Sequence, residues 1–372
     1  MYLCSKIKKM RILLLGEYSN VHWTLAEGLR ALGHQVTVVS DGDDWKNYPR
    51  DVNLRRGKGP ASAINYLFRV LRLLPTWRGY DVVQLINPLF LELKAEHQYY
   101  IYRFIKRYNQ KVFLAAYGMD YYWVHAGLDG HTFRYSDFNI GKQFRQSPDI
   151  EQWKSEWLHG EKGKLNRYIA QTCDGIIAGL YEYDASYRPF FPDKLTYIPF
   201  PINRSLIYPA QLKDDGQIRF FIGIQKKRNA YKGTDIMLRA LERMTAQYPH
   251  CKICKAESIP FPEYQNMMNH CEVLLDQLYS YTPAMNALLA MAKGIVVVGG
   301  GEPENYQIIK EERLRPIINV HPDEEHVYQQ LVMLAETPDL IKLKAAESIE
   351  YIKKHHDHIH VAQQYIDFWK SK

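Results

Sequence analysis

Apolar and polar positions along the chain fall into two alternating regimes. Residues 11–16 (RILLLG) form a short unbroken aliphatic run, the pattern of a strand buried on both faces. Behind it, Leu25, Leu29 and Leu32 recur at helical spacing within 20–32, and Gly33 supplies a stop. Residues 35–40 (QVTVVS), 80–86, 111–116 and 175–179 (GIIAG) read as further strands separated by helical patterns. Strands alternating with helices predict a parallel, doubly wound sheet.

The alternation is interrupted at 196–209 (TYIPFPINRSLIYP), where three prolines and little helical pattern read as a linker. It then restarts with a strand at 219–223, a helix at 235–246, and strands at 251–255 and 273–276. The predicted fold is α/β, two Rossmann-like doubly wound domains facing a cleft. Their bounds are 1–198 and 217–350, with a linker at 199–216 and a closing segment at 351–372 whose helix, 361–370, packs back on the first domain. Ligands of open α/β sheets sit at the carboxyl ends of the strands, so both halves should aim their loops into the cleft.

Two stretches of the second half carry candidate chemistry. In 276–306 (DQLYSYTPAMNALLAMAKGIVVVGGGEPENY) Thr282 suits an N-cap and Pro283 the first helical position; Lys293 and Gly294 suit the end. The helix then opens with free N–H groups near Ala284 and Met285, an end that attracts phosphate. The strand FFIG is followed by IQKKRNAYKGTD, placing Lys226, Lys227, Arg228 and Lys232 after a strand's carboxyl end, with Gly233 permitting close backbone approach. That loop is where a doubly wound domain binds anions.

Composition narrows the classes. Of 372 residues, 46% are hydrophobic and 24% charged, values of a globular chain with room for about two cores. The 28 tyrosines serve as core or as stacking platforms for flat or sugar-like ligands. A net charge of +7 suits anionic small molecules or an anionic membrane face and is too dispersed to argue for nucleic acid. Basic residues concentrate at 68–78 and 102–111 beside aromatic and aliphatic neighbours, as on a surface helix face or a peripheral membrane contact. Five scattered cysteines fit a reducing compartment, and the lone CKIC at 251–254 lacks the second pair of a metal site. No run of 18 apolar residues occurs, so a bilayer span is not expected.

Taken in order, these motifs resemble a GT-B glycosyltransferase of the group 1 or family 4 kind. The resemblance rests on MRILLLG with HWTLAEGLRALGHQVTVVS, YIPFPIN, GIQKKRNAYKGTDIMLRAL, DQLYSYTPAMNALLAMAKG and GGGEPE, and it covers nearly the whole chain. It implies that Arg228 and Lys232, with Gly233, Thr282, Ala284 and Met285, hold a donor diphosphate. The family's two glutamates, eight residues apart, contact the donor sugar and ribose; the aligned positions here are Tyr281 and Leu289, which cannot do so as carboxylates. Asn286, Glu302 and Glu304 are the substitutes at hand.

For the acceptor half, His22 in the first turn of its helix is the candidate general base, since a helix N-terminus favours neutral imidazole. The turn 117–120 (YGMD) resembles the family's His-Gly-Ser-Asp turn, making Asp120 the acidic candidate and Tyr117, with Tyr121, the acceptor contacts. Asp41-Gly42-Asp43-Asp44 contains a DxD but is placed as a turn, and GEYSN lacks the glycines of a dinucleotide fingerprint. The expected activity is metal-independent transfer of a hexosyl-type sugar from a nucleotide-diphosphate donor to a saccharide or lipid-linked acceptor in cell-surface polysaccharide synthesis. No cofactor beyond the substrate is expected, and the expected location is the cytoplasm, at the inner face of the membrane. His22 as base suits inversion, whereas the resemblance suits retention. The rival readings are a sugar-nucleotide epimerase, a non-catalytic assembly partner lacking the glutamates, and a peripheral membrane module.

Overall fold

The computed structural model describes residues 9–224 and 232–372. In the first domain the strands are β1 (Arg11–Leu15), β2 (Gln35–Ser40), β3 (Val52–Asn53), β4 (Val82–Leu85) and β5 (Lys111–Ala116), joined by α1 (Val21–Ala31), α2 (Pro60–Leu73) and α3 (Ala95–Tyr108). After α4 (Tyr121–Gly127) comes a hairpin, β6 (Asn139–Ile140) and β7 (Gln143–Phe144), then α5 (Pro148–Trp153) and α6 (Glu161–Thr172). The domain closes with β8 (Gly175–Ala178), α7 (Tyr181–Tyr187) and β9 (Leu195–Tyr197).

The second domain runs through β10 (Ile218–Ile224), α8 (Thr234–Gln247), β11 (Cys251–Glu257), α9 (Phe261–Met268), β12 (Val273–Leu275), α10 (Met285–Met291), β13 (Val296–Gly299), α11 (Pro303–Ile308) and β14 (Ile318–Asn319). Helices α12 (Glu324–Glu336), α13 (Pro338–His355) and α14 (His358–Ser371) complete the chain.

The first sheet is parallel with order β3-β2-β1-β4-β5-β8-β9, the second parallel with order β11-β10-β12-β13-β14. Aliphatic runs at β1, β8 and β13 are buried because helices cover both faces of each sheet. Both sheets therefore have the doubly wound form, two Rossmann-like layers in one chain.

The segment between the sheets ties them together. The Ile202 N–H donates to the His356 carbonyl (2.7 Å), and the His358 N–H donates to the Ile202 carbonyl (3.0 Å). Helix α14 lies on α1 of the first domain: a Cβ on Gly28 would sit 2.2 Å from the His358 carbonyl oxygen, so only glycine permits that approach. An apolar cluster continues through the junction, joining Ile86, Ala115 and Tyr117 to Met285, Leu288 and Tyr351 by way of Phe200 and Ile202. Its burial holds both sets of strand-end loops against one another.

Candidate functional site

The second domain builds a compact corner around Lys232 and Gly233. Gly233 ends the turn before α8 with φ 71°, a left-handed conformation that favours glycine. The preceding Lys232 carbonyl accepts the Leu278 N–H at 2.9 Å, and a Cβ on Gly233 would lie 2.7 Å from Leu278 Cβ. The Lys232–Gly233 turn is thus pressed directly on the segment that runs from β12 to α10. Asp276, just past β12, is buried; burial raises its pKa while the Lys232 charge and a bond from Asn286 pull it down. Asn286 Nδ2 donates to Asp276 (2.8 Å) and its Oδ1 accepts the Tyr264 hydroxyl (3.1 Å). Lys232, Asp276 and Asn286 therefore share one electrostatic environment. Arg228, with Lys226 and Lys227, lies outside the described residues.

Helix α10 begins later than its sequence suggests. Thr282 was the expected cap, yet the N-cap is Ala284 and no side chain caps the first turn. The reason is a long-range partner. Glu182, at the start of α7 in the first domain, accepts the N–H groups of Tyr281 (2.7 Å) and Thr282 (3.2 Å) and the Thr282 hydroxyl. Its carboxyl is raised by burial, partly offset by those bonds. Met285 packs into the junction cluster.

Tyr281, where the resemblance expects a carboxylate, is clasped from the first domain. Its hydroxyl accepts the Arg134 N–H (2.7 Å), the Arg134 guanidinium carbon lies 4.8 Å from its ring centre, and the Tyr135 ring lies 4.9 Å away. Arg134 also pairs with Glu304 and with Glu302 (2.9 Å). Glu302 further accepts the Tyr135 hydroxyl (2.5 Å) and Asn319 Nδ2 (3.0 Å). Burial works to raise Glu302, but the bonds from Asn319 and Tyr135 and the charges of Arg134 and His321 outweigh it, leaving it below the usual value. Both glutamates expected near a donor sugar are therefore committed to a bridge between domains. Arg145, just past β7, adds a second link: its guanidinium carbon lies 3.8 Å from the Tyr279 ring centre. That ring's edge abuts Gly233, 2.9 Å from where a Cβ would stand.

The first-domain candidates sit in the scaffold. His22 is fully buried, with Nδ1 2.8 Å from the Gly16 carbonyl and Nε2 3.2 Å from Gln84 Nε2. Since a carbonyl only accepts, Nδ1 carries the proton and Nε2 accepts from Gln84. Burial lowers its pKa to about 4. The imidazole is neutral as expected, but neither nitrogen is open to an acceptor. Beside it, Glu17 caps α1 by accepting the His22 and Trp23 N–H groups, and burial pushes its pKa up to about 8.

Asp120 is the N-cap of α4, accepting the Trp123 N–H (2.8 Å) and the Tyr187 hydroxyl (2.6 Å); burial raises it to about 6. The Tyr117 hydroxyl meets that of Tyr365 on α14 at 2.5 Å, and Tyr121 stacks beneath Arg167 at 4.7 Å. Asp41 accepts the N–H groups of Asp43 and Asp44, closing the DxD as a turn, and Asp43 pairs with Lys46. Among the described residues no group of three His, Cys, Asp or Glu could hold a metal ion.

Glu182, Asp276, Arg134 and Tyr135 carry much of this geometry, and none stood out in the sequence. Their partners lie far along the chain, and no local spacing signals them.

No protein-family model matches the chain, and no curated protein matches it. Solved structures do. Sucrose-phosphate synthase from Thermosynechococcus elongatus superposes with a TM-score of 0.63 at 14% identity, covering 98% of this chain and 99% of that one. Anabaena HepE, solved in complex with UDP and glucose, gives 0.60 at 11% identity over 98% and 100%. WaaG, a glycosyltransferase involved in lipopolysaccharide biosynthesis, gives 0.54 at 13% identity over 97% and 100%. These likenesses identify the two-domain GT-B fold of nucleotide-sugar glycosyltransferases.

Proposed function

We propose that the protein transfers a sugar from a nucleotide-diphosphate donor to a hydroxyl of a saccharide or lipid-linked acceptor. The observation that carries this reading is the Lys232–Gly233 turn seated on the segment 276–286 of a GT-B fold, with Asp276 and Asn286 beside it. The acceptor oxygen bonds to the anomeric carbon while the bond from that carbon to the β-phosphate oxygen breaks. Both electrons of that bond leave on the diphosphate. Lys232 and the amides at the start of α10 offset the growing negative charge, with Arg145 approaching from the first domain. Asp276 steers the Lys232 ammonium, and Asn286 fixes Asp276.

The acceptor's proton has two destinations: a protein base on the far face, giving inversion, or the departing phosphate oxygen, giving retention. The engaged nitrogens of His22 favour the second route, because it needs no base from the first domain. His22 and Asp120 then serve as supports for the β1 and β5 loops. A cationic turn that stabilises the leaving group also makes the reaction metal-independent. The setting proposed is cell-surface polysaccharide synthesis, in the cytoplasm at the inner face of the membrane. No described helix is long and apolar enough to cross a membrane.

One observation favours a second reading. Tyr281 and the bridged Glu302 and Glu304 leave no free carboxylate where the resemblance expects one, as a non-catalytic assembly partner would tolerate. Incubation with a panel of nucleotide-diphosphate sugars, with and without acceptor extract, separates the cases. A transferase consumes donor in an acceptor-dependent way, an epimerase converts it alone, and an assembly partner does neither.

A further inference from the structure

Helix α2 carries an outward apolar stripe that none of the described residues covers. Ile64, Phe68 and Leu71 follow one another at helical spacing and are 62%, 67% and 48% exposed. The opposite face is ordinary core, with Tyr66 and Val70 buried in the first domain. Single exposed apolar residues are common on protein surfaces, whereas a stripe of three on one helix is an interaction face.

Its surroundings say what it fits. Between Leu54 and Tyr80 the chain has six arginines and lysines and no aspartate or glutamate. Arg69 is folded back onto the Arg55 and Asn53 carbonyls (3.0 and 2.6 Å), which holds charge close to the helix. Arg78 lies over the Phe104 and Tyr108 rings of α3 at 5.4 and 5.2 Å, extending the same basic and aromatic surface. Glu92 accepts the Arg56 N–H beside this surface (3.0 Å), so the cations outnumber carboxylate there rather than exclude it. Apolar anchors flanked by arginine complement an anionic lipid surface: the side chains enter the acyl boundary while guanidinium groups meet the headgroups. The 14 residues of α2 span roughly 21 Å at 1.5 Å each, too short to cross a bilayer and suited to lying in its plane.

We infer that α2 docks the protein on an anionic bilayer by its Ile64–Phe68–Leu71 stripe. The inner face of the helix then sets the geometry of the acceptor. Tyr66 lines a cavity of about 110 Å³ together with Glu17, Asp41 and Glu92, at the carboxyl end of β1. Tyr66 also accepts the Glu92 N–H at 3.1 Å, which ties the cavity wall to the docking helix. A lipid-linked acceptor held in that bilayer presents its sugar hydroxyl to this cavity. This last step rests on the transferase reading; the docking itself does not.

The test is sedimentation of the full chain with vesicles of phosphatidylcholine alone or with about 30 mol% phosphatidylglycerol, without sugar nucleotide. Binding is expected to the anionic vesicles only. It should fall about tenfold in Ile64→Ser/Phe68→Ser and in Arg72→Gln/Arg78→Gln, and weaken similarly in about 0.5 M salt. Unchanged circular dichroism and UDP affinity in the variants exclude misfolding and separate this inference from the donor site. Equal binding by wild type and variants overturns it, as does no binding. So does a wild-type dimer in light scattering that Phe68→Ser dissociates, since a second copy would then cover the stripe.

Discussion

Glu182 of the first domain accepts the backbone N–H groups of both Tyr281 and Thr282 in the second. A buried carboxylate thus holds, across the domain junction, the turn that leads into α10. Replacing it with alanine takes this partner from two buried N–H groups and from the Thr282 hydroxyl. We expect Glu182→Ala to destabilise the protein by about 1–3 kcal/mol in urea unfolding. Glu182→Gln, which keeps one acceptor oxygen, should lose less. Equal stability of wild type and Glu182→Ala would remove the carboxylate from the junction's support.

Stability should also depend on pH through Glu17. Its folded pKa, about 8, exceeds its ordinary 4.5, so its contribution is fully present below 4.5 and is lost as pH rises through 8. His22 runs the other way: lowered from 6.5 to about 4, it contributes above 6.5 and loses that as pH falls through 4. The two oppose each other between about pH 4.5 and 6.5; from 6.5 to 8 Glu17 lowers stability, opposed above about 7 by the Cys254 thiol, itself lowered to about 7. Over that window unfolding free energy should fall by up to about 1.4 kcal/mol per pH unit, and Glu17→Gln should flatten the slope. Denaturant titrations at pH 6.5 and 8 decide it; an unchanged slope in the variant contradicts the assignment.

Leu289 is half-buried on α10, one turn beyond Asn286, where the resemblance calls for a carboxylate facing the ribose. Leu289→Glu should tighten UDP binding about tenfold, the effect of one charge-assisted hydrogen bond. Calorimetry reads it directly. Unaltered or weaker binding would show that the nucleotide does not pass this position.

Metal independence gives a simple solution test. Turnover with a matched donor should be unchanged after EDTA treatment and gel filtration, because in the proposed reaction a cationic turn substitutes for the metal. Loss of turnover restored by a divalent cation would refute that role.

Much of the fold was legible because its causes are local. The aliphatic runs Leu13–Leu14–Leu15 and Val296–Val297–Val298 are strands buried on both faces, and Gly233 marks a left-handed turn that few other residues adopt. The site was legible only in part. Thr282 has the right residue type for a cap, but its hydroxyl is drawn to Glu182, a hundred positions earlier. His22 and Asp120 have the right chemistry at the right strand ends, yet Gln84 and Tyr187 occupy them, and only packing reveals that. Glu302 and Glu304 look available until Arg134 arrives from another domain. Residue type reports what a side chain can do; tertiary partners determine whether it is left free to do so.

The central claim is that Lys232, on its glycine turn, grips the diphosphate of the donor. Calorimetric titration of UDP and of uridine into wild type and Lys232→Ala tests it most directly. UDP binding should weaken about 10- to 100-fold in the variant, with uridine binding unchanged, since in the proposed complex only the diphosphate meets the lysine. Equal UDP affinity in the two proteins, with the fold intact by circular dichroism, would contradict it.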